Sequence, residues 1–336
     1  MSRFFDAIRR ADESRQLAVS LAPVPSGPGR TLAVVSNKGG VGKTTVATNL
    51  AVYLRAMRED LPVLVIGLDD QSTIDRMFEI GTRSGATIAD ALRAGSLAGA
   101  IRLGHYGVHY VPTSARIGEL KRELQDPDRL RRTIASSGWR GVVIVDTKSD
   151  LEVLTQNALR ASDLALVLAR DLGSVTEAGK VFELLQLWGR PGNAARILLS
   201  QVDLRVKYAS GEARDILALL LAEIRRLEYP LLGSFVSSSP KVEALLSNPD
   251  RVVRSVLHGA PTSLVHRQLR HLAEELLEIL RPDAVDSAEP AAAAPGPAPA
   301  DPAPAREPDA PRRPLAVDVS AWLGLPPVPQ VGAESI

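Results

Sequence analysis

Two lysines stand five positions apart in Ser36-Asn37-Lys38-Gly39-Gly40-Val41-Gly42-Lys43-Thr44-Thr45. A phosphate-binding loop of the form G-x-x-x-x-G-K-[ST] needs only one. Asn37 stands at the first glycine of that form, and Lys38 at the first of its four variable positions. Around Val41, the glycines Gly39, Gly40 and Gly42 let backbone N–H groups turn inward around phosphate oxygens, and a helix starting here adds partial positive charge. Lys43 is expected to meet the β- and γ-phosphates, the Thr44 hydroxyl a Mg2+ ion, and Thr45 the α-phosphate. A glycine-rich turn without a ligand gives no reason for paired lysines and paired threonines. Further along, the apolar run Val142–Val145 ends in Asp146. A carboxylate at the end of a buried strand fits a Mg2+ partner acting through the ion's water shell.

The elements that position these groups follow from the apolar pattern. Residues 31–36, 62–68, 108–113, 141–147, 164–170, 195–201 and 230–236 are short and almost continuously apolar, as strands buried on both faces are. Helical patterns lie between most of them. The expected fold is α/β, a doubly wound, mainly parallel sheet flanked by helices and spanning 30–282. The phosphate loop then sits between the first strand and the helix that begins GKTTVATNLAVYLRA, the context that its motif requires. The run TSLVHRQLRHLAEELLEIL is expected to close the domain as an amphipathic helix stopped at Pro282.

The flanks read differently. Residues 1–29 hold a short amphipathic pattern with Phe4, Phe5 and Ile8 on one side, then the breaker PVPSGPG. Residues 283–314 are rich in Pro and Ala and are expected to be disordered. Apolarity returns in 315–329, where Leu315, Trp322, Leu323 and Leu325 suit a docking segment at the end of a linker.

The chain has 336 residues, 45% hydrophobic and 24% charged, with a formal net charge of +1. No global field draws it to nucleic acid or membrane, although a local basic face remains open. The absence of cysteine excludes disulfides, thiolate metal sites and a cysteine nucleophile. His258, His266 and His271 have no ligand-spaced partners. The N-terminus lacks the apolar core of a signal peptide, and no apolar run approaches the ~20 residues of a spanning helix. The expectation is a cytoplasmic protein without stable membrane insertion.

The stretch K-G-G-x-G-K-[ST] resembles the signature of the ParA/MinD family of deviant Walker ATPases, in its ParA-like branch. The resemblance covers most of 30–282. It implies an ATP-dependent homodimer in which Lys38 reaches across the two-fold interface to the partner's nucleotide, with ATP and Mg2+ as cofactors. The function so implied is a dimerisation switch, slow at hydrolysis without a partner. It would position a plasmid, a chromosome locus or a protein assembly, over the nucleoid. Lys38, Lys43 and Asp69 carry the catalytic roles, Asp69 by orienting the attacking water.

The family's D-x-D-P-Q segment appears here as Gly67-Leu68-Asp69-Asp70-Gln71, and its D-x-P-P as Asp146-Thr147-Lys148-Ser149. Gly67 removes a carboxylate, and Lys148 enters a loop near the γ-phosphate, as an ATP contact, a partner contact or a solvated lysine. Ser200 and Asp203 take positions that the resemblance places near adenine, with the backbone of 237–240 on the other side of the base. Nonspecific DNA binding, as in the ParA branch, would use Arg205, Lys207, Arg225, Arg226, Arg251, Arg254, Arg267 and Arg270. Glutamates interspersed among these fit solvated helix faces equally well. Partners implied are DNA and an activating or adaptor protein, the latter through 315–329. Three alternatives remain: a MinD-like spatial regulator, a non-hydrolysing nucleotide-dependent binding module, and a regulatory tyrosine kinase on the same fold, although no tyrosine follows Tyr229.

Overall fold

The computed structural model describes residues 29–81, 85–124, 126–207, 215–246 and 253–281. The N-terminal amphipathic pattern, the Pro/Ala-rich segment, the 315–329 docking segment and Arg251 all lie outside the described residues.

Eight strands form one sheet. They are β1 (Arg30–Val35), β2 (Val63–Gly67), β3 (Arg102–Leu103), β4 (His109–Val111), β5 (Val142–Asp146), β6 (Leu164–Ala169), β7 (Ala195–Val202) and β8 (Leu231–Ser237), in the order β3-β4-β2-β5-β1-β6-β7-β8. Every pairing is parallel except β3 with β4. The seven apolar runs are all strands. The two-residue β3 is too short to leave a pattern in the sequence. β1, β2, β5 and β6 are almost wholly buried, which is why each reads as an unbroken apolar run rather than an alternation.

Helix α1 (Lys43–Met57) follows β1 and is buried on nearly all sides from Val46 to Arg55. Leu32, Val34, Val63, Val65, Val142 and Ile144 of the sheet pack with Leu50 and Leu54 of α1 in the main core. The closing helix, here α2 (Leu264–Leu280), adds Val265, Leu269, Leu272 and Leu276 to that core. Ser263 caps it through a hydrogen bond from the His266 amide. It ends at Arg281, whose φ of 41° is left-handed, directly before Pro282 in the sequence. Polar cross-links tie this layer together. Asn49 Oδ1 accepts from the Val256 amide at 2.7 Å, and the Tyr53 hydroxyl meets His266 Nδ1 at 2.7 Å.

The strand order decides where a ligand can bind. From β1 the chain steps past β5 to β2, and later returns across β1 to β6. The crevice at the carboxyl end of β1 is therefore the switch point of the sheet, the place where open α/β sheets bind ligands. The phosphate loop occupies it.

His109, at the opposite end of the sheet, predicts a pH dependence. Burial first, and then the positive charge of Arg55, push its imidazole from 6.5 down to about 4. It stands edge-on to Trp139 at 5.0 Å, and its Nδ1 is buried without a hydrogen-bond partner. Between these two values the unfolded chain protonates this histidine and the folded chain does not. Stability therefore falls as pH drops from 6.5 to about 4 and this contribution levels off below. His109→Phe is expected to flatten that part of the thermal-stability profile. An unchanged slope in the variant would remove His109 as its source.

Candidate functional site: a phosphate loop and its two flanks

The loop joining β1 to α1 carries Gly40 and Gly42 at φ of 70° and 86°, both left-handed. Gly42 is needed for a second reason: a Cβ there would lie 2.9 Å from Gln201 Nε2. Helix α1 has no side-chain cap, so its first amides have no capping acceptor and face an incoming anion. Arg170 braces the loop from outside by donating to the Gly40 carbonyl at 3.2 Å.

The two lysines take different partners. Lys43 is buried, and its Nζ donates to Ser149 Oγ at 2.6 Å. Burial pushes its pKa down, against the attraction of Asp146, Asp69 and Asp150. Lys38 instead contacts both carboxylate oxygens of Asp171 at 2.8 Å and keeps a 43% exposed side chain. Asp171 also caps α3 (Leu172–Leu187), accepting from the Ser174 amide at 2.8 Å. Burial alone would raise its pKa; the hydrogen bonds from Lys38 and Ser174 outweigh that and hold it low.

Asp146 is 1% exposed. Burial pushes its carboxyl up to about 7, opposed by a hydrogen bond from Thr44 and by the charge of Lys43. Its Oδ1 has no hydrogen-bond partner. An acid and a lysine that are both driven toward neutrality suit a cation beside the acid and an anion beside the lysine. Among the described residues no group of three or more His, Cys, Asp or Glu could hold a metal. The Thr44 hydroxyl hydrogen-bonds to the Asp146 carboxylate, so a hydroxyl and a carboxylate, both of them hard oxygen donors, stand together at the start of α1.

Asp69 lies on the loop after β2. Its pKa is raised, first by burial and then by a hydrogen bond to Asp70, with Lys148 acting against both. A side chain at Gly67 would have to displace the tip of Ile74. A Cβ there would fall 2.6 Å from Ile74 Cδ1 and 3.1 Å from Thr113 Cγ2. Thr113 is itself fixed by donating its amide and hydroxyl to the buried Asp75 carboxylate, at 3.0 and 2.5 Å.

On the other flank a cleft is lined by Gly42, Thr45, Ser200, Gln201, Ser237, Ser239 and Glu243 over a floor of Val46, Val236, Val242, Val265 and Leu269. Ser200 belongs to this lining and its Oγ is buried without a partner. Asp203 lies outside the lining. It takes Arg205 at 2.7 and 2.8 Å, and these hydrogen bonds hold its carboxyl at about 2. Among the basic residues, Arg205, Lys207, Arg226 and Arg270 each pair with a carboxylate, while Arg225, Arg254 and Arg267 are exposed.

Sequence reading did not pick out Asp171, Gln201, Glu243 or the neighbours of Gly67. Only Asp171 left a local signal, the Asp-x-x-Ser of a capping box.

A switch-point phosphate loop, a buried lysine, a strand-end aspartate and an adjoining cleft define a P-loop nucleotide-binding protein. The chromosome-partitioning ATPase Soj of Thermus thermophilus is 32% identical over 264 residues, covering 74% of this chain and 95% of that protein. The chain belongs to the ParA/MinD family of P-loop ATPases. The AAA domain family model matches residues 29–179. The chromosome partitioning protein ParA of Caulobacter vibrioides is 35% identical over 150 residues, a match covering 42% of this chain and only 55% of that protein. The septum site-determining protein MinD of Pyrococcus horikoshii, complexed with Mg-ADP, superposes with a TM-score of 0.59 at 22% identity, over 75% of this chain and 97% of that one. Cobyrinic acid a,c-diamide synthase of Mycobacterium smegmatis, with bound ADP and magnesium, gives 0.58 at 21% identity, over 75% and 96% of the two chains. The shared fold therefore hosts quite different chemistries.

Proposed function

We propose that this chain is a Mg2+-dependent ATPase that dimerises on ATP and uses the dimer to position or partition a cargo, over nucleoid DNA. The observation that carries the nucleotide reading is the pair of orphaned buried atoms on either side of the loop, Asp146 Oδ1 and Ser200 Oγ. Asp146 would hold a hydrated Mg2+, which supplies charge stabilisation to the phosphates when bound, and Ser200 would contact the base. The partitioning reading draws support from relatives named as a chromosome-partitioning ATPase and a chromosome partitioning protein. Lys38 is compatible with the dimer: its side chain is 43% exposed, and its ammonium pairs with Asp171 rather than with Ser149, the partner of Lys43. The exposed Arg225, Arg254 and Arg267 are the basic residues most free to meet DNA phosphates, and such binding must weaken as salt rises. Cytoplasmic location accords with the finding that, among the described residues, no helix is long and apolar enough to cross a membrane.

Light scattering with ATP, ADP and no nucleotide tests the switch. A mass that doubles only with ATP is expected, and one indifferent to nucleotide would overturn it. Asp69→Ala is expected to leave ATP binding intact, abolish phosphate release and trap the dimer. Full turnover in that variant would remove Asp69 from the chemistry. One observation favours a second reading, a nucleotide-dependent binding module without hydrolysis: position 67 carries no carboxylate, and the tip of Ile74 lies 2.6 Å from where its Cβ would stand. A phosphate-release assay on the wild type, with and without partner, decides between them. Slow release is expected, because catalysis of this kind depends on positioning and electrostatics.

A further inference from the structure

Lys148, beside the phosphate loop, has no part in the proposed function, yet it pairs with the loop that carries Asp69. Lys148 Nζ lies 2.8 Å from Asp70 Oδ2 and 3.9 Å from Asp69 Oδ1. Adjacent carboxylates on the loop after β2 thus share one cation from the loop after β5. The Lys148 and Asp69 side chains are 21% and 23% exposed and that of Asp70 is 52% exposed, so solvent screens the Asp70 contact more than the Asp69 one.

The two loops leave the sheet side by side. Gly67 and Asp146 are register partners, and the Leu68 amide donates to the Asp146 carbonyl at 2.9 Å. Beyond Leu68 the support for Asp69 thins. Gln71 donates its amide to Asp69 Oδ1 at a long 3.4 Å. The following helix, Thr73–Phe78, has no side-chain cap from Ser72. Neither loop carries a proline here. D-x-D-P-Q and D-x-P-P would put one at each of these two positions, 70 and 148. A proline fixes its own φ and restricts the residue before it. Position 70 follows Asp69 directly, so losing a ring there frees the backbone of Asp69. The two departures meet each other in space as an ion pair.

We propose that Lys148 is a positioning residue, which holds Asp69 over the phosphate loop by bridging to Asp70, and that this ion pair replaces local proline stiffness with a tether between the two loops. The part that concerns turnover rests on the ATPase reading. The tether itself does not. Without the cation, no other ion pair among the described residues joins Asp69 or Asp70 to the loop after β5. A partly exposed ion pair and a well-placed proline are stabilising by comparable amounts, so the exchange preserves order but makes it depend on charge.

The test uses the full chain with Lys148→Met, Lys148→Arg, and the charge swap Asp70→Lys with Lys148→Asp. In Lys148→Met, kcat is expected to fall roughly ten- to a hundredfold, the scale of a small misplacement of a reacting group. KM and the ATP-dependent dimer mass should stay near wild type. Lys148→Arg should restore most of kcat, and the swap should recover more than either of its single changes. Hydrogen exchange of the amides of 68–71 should be faster in Lys148→Met, with and without nucleotide. An unchanged or higher kcat in Lys148→Met overturns the positioning role and makes the pair a brake or a bystander. A swap no better than its singles, or unchanged exchange in 68–71, overturns the tether. A wild type that releases no phosphate would defeat the ATPase reading, yet the exchange measurement would still decide the tether.

Discussion

Lys43→Ala is expected to lose nucleotide binding outright. Lys43 starts helix α1 with its ammonium buried against Ser149, and Asp146, Asp69 and Asp150 attract its charge. Two charge-assisted contacts to β- and γ-phosphates contribute about 1.5–3 kcal/mol each. Their loss weakens binding by roughly two to four orders of magnitude. The loop amides remain, but they supply only the sequence-independent part of the cradle. Because burial disfavours the charged form of Lys43 in the nucleotide-free protein, removing it should not unfold the domain. A circular-dichroism melt close to wild type is the control. Titration with a fluorescent ATP analogue measures the effect, and an affinity within a few-fold of wild type would falsify the assignment of the loop.

Lys38→Ala should give the opposite dissociation of properties: ATP still binds, and the dimer no longer forms. Lys43, Thr44, Thr45 and the amides of Gly40 and Gly42 are untouched by the change. At the proposed interface two triphosphates face each other, and their like charges oppose association. A lysine–phosphate contact at ~4 Å contributes on the order of 4 kcal/mol at the effective dielectric of a protein surface. Two-fold symmetry repeats that attraction at the second nucleotide, and its net worth is the attraction less the Asp171 contact that each lysine gives up. To reach across, Lys38 must leave Asp171, an exchange of one anion for another on a side chain already 43% exposed. Light scattering at saturating ATP reads the outcome, and a dimer equal to wild type would remove Lys38 from the interface. The pair of variants separates binding from assembly, since each lysine of one loop is expected to fail at a different step.

Much of the site was legible because local rules produce it. A strand buried on both faces must be continuously apolar, so β1, β2 and β5 announced themselves. Phosphate-binding loops need left-handed glycines before a helix N-terminus, and Gly40, Gly42 and Lys43 stand in that order. Asp146 was legible as the polar end of an apolar strand. The short β3 left no signal, because two residues carry no period. The reason for Gly67 was also hidden: whether a carboxylate fits there depends on Ile74 and Thr113, and Thr113 reaches the site only after the chain has passed through two further strands.

By itself, the sequence determined the order of the seven apolar strands, the phosphate loop, and the two lysines that make it unusual. Tertiary structure alone decided what those residues touch. The order β2-β5-β1-β6-β7 brings five separate strand ends to one edge. That edge sets Lys38 against Asp171, Lys148 against Asp70 and Ser200 over the cleft, contacts between residues far apart in the chain. No local preference encodes such pairs. They follow from parallel register, which places every carboxyl end on the same side, and from the packing that fixes how far apart those ends lie.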